Sequence, residues 1–130
     1  MKKFILLVAF VIGITFISQA QTKPGEFKFE SEVHDFGNIV IGKPVVYTFN
    51  FTNIGDAPII ISKVETTCGC TVPEYSKLPI KNGEKGMIRV TLTPTGAAVP
   101  VVKSITVTSN ARTTTKVLII KGVYVEGNTK

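Results

Sequence analysis

The chain predicts an all-β fold, an immunoglobulin-like sandwich of about seven short strands without a long-range disulfide. Three observations predict it. Apolar and polar residues alternate with period two in several segments, turn chemistry recurs roughly every dozen residues, and no stretch carries helical periodicity. Val45, Tyr47, Phe49 and Phe51 point one way while Val46, Thr48, Asn50 and Thr52 point the other. Eight alternating residues rich in β-branched and aromatic side chains form a half-buried strand. Asn53-Ile54-Gly55-Asp56-Ala57-Pro58 ends it with turn residues. Ile59 to Val64, apolar on both faces at its start, is expected to be a central strand.

Lys81-Asn82-Gly83-Glu84 is a tight polar turn, with Asn82-Gly83 suited to positive φ. Met87 to Leu92 follows, with Ile88, Val90 and Leu92 on one face, and Pro94-Thr95-Gly96 closes it. Val101 to Thr108 turns Ile105 and Val107 inward; Ser109-Asn110-Ala111 leads to the longest run, Thr115 to Val125. Upstream, Phe27-Lys28-Phe29 and Val33 to Phe36, before Gly37, supply two short edge strands. Antibody-type domains carry a buried tryptophan and a cysteine pair between sheets. This chain has no Trp and only two cysteines, one residue apart, so the likeness is architectural.

Met1-Lys2-Lys3, the apolar run Phe4 to Ile17 and the small-residue exit Ser18-Gln19-Ala20 are the three parts of a secretory signal peptide over residues 1–20, cut after Ala20. The apolar run is shorter than the roughly 20 residues a membrane-spanning helix needs. Residues 21–26, with Pro24-Gly25, read as a lead-in, residues 27–126 as the sandwich domain and residues 127–130 as a tail. The mature domain keeps about 110 residues, enough to bury above roughly 60% of its unfolded surface. Removing Lys2 and Lys3 takes two of the six net positive charges. The remaining basic residues are scattered and track no phosphate backbone, which argues against nucleic acid as a partner.

Cys68-Gly69-Cys70 is the one constellation with chemistry of its own. Extended strand geometry holds residues two apart too far from each other to bond, so a disulfide requires a turn, which Gly69 is expected to permit. A three-residue ring gains only about 1.6 kcal/mol of loop-closure entropy, too little for a fold staple. Three readings stand side by side: a local disulfide favoured by an oxidising compartment, free or partner-linked thiols, and thiolate ligands to copper or zinc. Thr71 follows as loop support, Tyr75, Lys77 and Lys81 as loop neighbours. His34, the single histidine, is an extra ligand only if the fold carries it to this loop. No catalytic residue is assigned: there is no nucleophile elbow, no phosphate loop, and no charge partner to activate a thiol. No cofactor is called for beyond that copper or zinc reading.

From His34-Asp35-Phe36-Gly37 through Phe49-x-Phe51-x-Asn53-x-Gly55 to Thr67-Cys68-Gly69-Cys70-Thr71, and on through Pro73, Asn82-Gly83 and Ser109-Asn110, the chain resembles the bacterial family known as domain of unknown function 1573. Members are similar to the Ig-like domains of the major sperm protein and cilia-associated groups, which mostly act as interaction modules. The resemblance implies a sandwich fold, a periplasmic or secreted bacterial protein, and a protein partner in the envelope. It implies no activity and no catalytic residues.

Overall fold

The computed structural model describes residues 23–127; the expected signal peptide, with its expected cut after Ala20, and the last three residues lie outside them. Among the described residues, eight strands form: β1 (Phe27–Phe29), β2 (Val33–Val40), β3 (Val45–Asn53), β4 (Ile61–Thr66), β5 (Thr71–Tyr75), β6 (Lys85–Leu92), β7 (Pro100–Ser109) and β8 (Thr115–Val125). They make two four-stranded sheets, ordered β1-β3-β6-β5 and β2-β8-β7-β4. All pairings are antiparallel except β2 with β8, which is parallel.

The core lies between the sheets and follows the predicted alternation. Phe49 and Phe51 of β3, Ile88, Val90 and Leu92 of β6, Ile105 and Val107 of β7, and Leu118 and Ile120 of β8 are almost fully buried. Phe27 and Phe29 of β1 pack their rings on Phe51, with centroids 4.8 and 5.2 Å away. Gly86 lies under the Phe51 ring, where a Cβ would come within 2.4 Å of it. That close approach is what a glycine inside a strand allows.

Two expectations about strands are corrected. The first concerns β5. Thr71 to Tyr75 read as loop exit and irregular chain, yet it forms an edge strand on β6, with Pro73 opposite Val90. Proline masks a strand in sequence, but an edge position has a free side on which the missing N–H is no loss. The second is the expected central strand over Ile59 to Val64. It begins at Ile61 and is the outermost strand of the second sheet. Its apolar start has another cause: Ile59 forms an isolated bridge with Ile80 and closes the end of the core, while Ile60 is about half exposed.

The Asp-Phe-Gly stretch also differs from expectation. β2 continues past Gly37 to Val40 because the register against β8 shifts between Asp35 and Asn38. Gly37 takes φ +70° and donates its N–H to Asp35 Oδ1 at 2.8 Å. That is a bulge held by an aspartate and released by a glycine.

Phe49→Ala removes a ring that is 1% exposed. The loss is expected to be about 3–5 kcal/mol, read as a lower urea midpoint at unchanged slope.

Candidate functional site

The cysteines stand at a corner where the chain leaves one sheet for the other. β4 belongs to the second sheet and β5 to the first, so residues 67–70 carry the crossing. Cys68 and Cys70 are joined in a disulfide with Cα atoms 5.4 Å apart. Backbone bonds hold the corner independently of the sulfurs. The Thr71 amide donates to the Cys68 carbonyl (3.2 Å), the Thr93 amide to the Cys70 carbonyl (2.9 Å) and the Thr67 amide to the Ser104 carbonyl (3.3 Å). The Thr66 hydroxyl lies within bonding distance of two carbonyls, Cys68 at 3.0 Å and Thr71 at 3.1 Å. Thr71 is itself buried.

The two sulfurs differ. Cys70 packs against the core cluster and has the Thr71 hydroxyl 3.9 Å from its sulfur. Cys68 Sγ accepts the Cys70 backbone N–H at 3.2 Å. Gly69 between them is exposed, and a Cβ built there meets nothing within 4 Å. Its φ is not positive either; among the described residues Gly37, Gly42, Gly83 and Gly96 are the ones with positive φ. The expectation that Gly69 permits the turn through backbone freedom is therefore corrected: the corner uses torsions open to any residue, and glycine leaves its outer surface bare.

His34 does not reach this corner. It lies on β2, at the opposite edge of the second sheet from β4. Its ring stacks on Tyr47 at 3.7 Å and meets Phe36 edge-on at 4.6 Å. Among the described residues, no group of three or more His, Cys, Asp or Glu is arranged to hold a metal ion. Lys77 places its ammonium 3.5 Å from the centre of the Tyr75 ring, and Lys81 is exposed in the turn before Gly83.

The other motif residues serve the architecture. Asn53 is fully buried, and its side chain makes four hydrogen bonds. Its Oδ1 accepts from the Glu26 and Gly55 amides (3.1 and 2.9 Å), and its Nδ2 donates to the Ala57 and Ile80 carbonyls (2.9 and 2.8 Å). Gly55 must be glycine because a Cβ would stand 2.1 Å from the Pro24 carbonyl oxygen. Asn110 accepts the Ile60 amide at 2.7 Å and donates to the Pro58 carbonyl at 3.1 Å, tying two loops together. The Ser109 hydroxyl accepts the Ala111 amide at 3.1 Å.

What sequence reading missed is a face. On the outer side of the second sheet, Val33 of β2, Val117 and Val123 of β8 and Val102 of β7 are exposed, Val102 by 67%. Register sets them on one face, with Val33 opposite Ile119, Val102 opposite Lys121, and Val123 opposite Pro100. The signal was present in the alternation, where valine occupies outward positions that a solvated face gives to polar residues.

With the fold and corner described, comparison with known proteins is informative. A family model described as a protein of unknown function, DUF1573, matches residues 27–124. The chain belongs to this family. No curated protein sequence matches DUF1573's present member significantly. A protein of unknown function from Porphyromonas gingivalis W83 is similar in structure, with TM-score 0.70 and 17% identity. The match covers 84% of this chain and 51% of that one, so the DUF1573 chain spans about half its length. The ASH/PapD-like domain 7 of human CEP192 has TM-score 0.66 and 10% identity over 90% of this chain and 99% of its own. WR4, a major sperm protein family member of C. elegans, has TM-score 0.50 and 11% identity over 76% of this chain and 97% of its own. Identities this low establish a shared fold, and they bear out the Ig-like reading.

Four variants check the assignment of roles. Asn53→Ala takes the side-chain partner from the Glu26 and Gly55 amides and the Ala57 carbonyl, while the Ile80 carbonyl keeps the Ile59 amide, and is expected to cost about 3 kcal/mol or more. Gly55→Ala is also expected to be destabilising, by about 1–3 kcal/mol, while Gly69→Ala melts within a degree or two of the parent. In urea melts the Cys68→Ser/Cys70→Ser double variant is expected to lose under roughly 2 kcal/mol, less than Phe49→Ala.

Proposed function

We propose that this chain is an exported Ig-like binding module of the bacterial envelope, periplasmic or secreted, which engages a protein partner through a face that carries no catalytic group. The exposed valine face of the second sheet carries this reading. Several large apolar side chains exposed on one face and accompanied by polar residues mark an interaction site.

The edges of the sheets offer less. β1 has three residues, β2 and β4 are interrupted by register shifts, and β5 contains Pro73. On β4 the Lys63 ammonium also meets Glu65 at 2.8 Å, and that bond raises the lysine pKa. Short, bulged, charged or proline-bearing edges resist strand addition. Recognition through a face is thus favoured over the pairing of an added strand. Asp35 and Lys121, opposite each other in register, place one charge of each sign among the valines, with Lys121 opposite Val102. The leader Met1–Ala20 supports export. The motif side chains of Asp35, Asn53 and Asn110 are each engaged with backbone groups, which supports a scaffold over a catalyst.

The test is cross-linking in envelope extracts with wild type and with Val102→Asp/Val123→Asp. A specific partner held by the wild type and lost by a variant of unchanged melting temperature is expected. A wild-type protein that stays strictly monomeric without a specific partner, or a variant that keeps the same partner, would overturn the reading.

A further inference from the structure

We infer that the Cys68–Cys70 corner is a thiol–disulfide exchange site, whose substrate is a dithiol and whose attacked sulfur is Cys68. This stands apart from the binding face, which lies on the outer side of the second sheet.

Three observations converge on it. The disulfide closes a ring of three residues, so it adds little to the stability of a domain with a full core between its sheets. The corner is held by the amides of Thr67, Thr71 and Thr93 and by the Thr66 hydroxyl, none of which needs the S–S bond. The bond can therefore open and close while the backbone stays in place. The two sulfurs, finally, are unequal. Cys70 rests on the core, whereas Cys68 is not among the residues packed on it and its sulfur accepts a backbone N–H.

The chemistry follows from that asymmetry. A thiolate of the dithiol attacks Cys68 Sγ, the Sγ–Sγ bond breaks, and its electron pair passes to Cys70 Sγ, which takes up a proton. The substrate's second thiolate then attacks the substrate's first sulfur, the one bonded to Cys68, and expels Cys68 as a thiolate. The Cys70 N–H, already directed at Cys68 Sγ, stabilises that leaving charge. Two electrons move from the dithiol to the pair, the substrate leaves as a disulfide, and the protons lost by its thiols are matched by those gained on Cys68 and Cys70. Run in reverse, Cys68 is the nucleophile and Cys70 resolves the mixed disulfide.

Glutathione serves as the probe. Oxidised full-length mature protein is mixed with reduced glutathione, quenched in acid and mapped by peptide mass; the adduct is expected on Cys68. In parallel, the single variants are mixed with oxidised glutathione. Cys70→Ser is expected to form its adduct about tenfold faster than Cys68→Ser, the gain in thiolate that one hydrogen bond to a charged sulfur supplies. Melting curves of both variants confirm the fold, and the wild-type mapping decides the matter if either fails to fold. An adduct on Cys70, equal rates in the folded variants, or a wild-type disulfide inert to reduced glutathione would overturn the inference.

Discussion

The side chain of Asn53 holds one end of this sandwich together. It is the last residue of β3, fully buried, and it uses two acceptor positions and two donor hydrogens on four backbone groups from three separate segments. Those segments are the lead-in at Glu26, the β3–β4 loop at Gly55 and Ala57, and the approach to β6 at Ile80. Its own backbone joins in, taking the Gly83 amide at 2.8 Å and giving its N–H to the Glu84 carbonyl at 3.0 Å. A buried amide fully satisfied in this way fixes geometry, because every alternative loop position leaves an unpaired polar group in a dry place. Ile59 and Ile80, bridged beside it, cap the core there. The absence of a Cβ at Gly55 lets the lead-in lie directly against the turn.

The same economy runs through the other motif residues. Asp35 and Gly37 make a bulge that bends β2 and breaks up an eight-residue parallel edge. Asn110 fastens the β7–β8 turn to the chain before β4. Family-signature polar residues thus satisfy loop backbone, which loops of a small sandwich must do somehow if they are to pack rather than hang in water. Of the signature elements, Cys68 and Cys70 alone bring reactive atoms, and they do so at a corner already secured by threonines. Surface and corner are therefore available for function without taxing the core.

Much of the fold was legible because alternation reports burial directly. β3, β6, β7 and β8 were read from inward Phe49, Ile88, Ile105 and Leu118, and these four are the central strands of the two sheets. The errors fall at the edges. β5 hid behind Pro73, and the isoleucines at 59 and 60 suggested a central strand where one caps the core and the other faces solvent. An edge strand has only one neighbour to satisfy, so its sequence is less constrained and its signal weaker. The site was legible in identity and illegible in arrangement. Cys68 and Cys70 stand out by being the sole cysteines, but their inequality depends on which sulfur rests on the core and which meets an amide.

Sequence alone determined the all-β class, the inward faces of the four central strands and the family, since each is written in the local order of residues. Tertiary structure decided where the chain crosses between sheets, that His34 stacks on Tyr47 far from the cysteines, that Gly69 is open surface rather than a hinge, and that valines from three strands share one outer face. The physical reason is range. Period and turn chemistry act over a few residues, whereas strand order and register bring together residues such as Val33, Val102 and Val123 that no local rule connects.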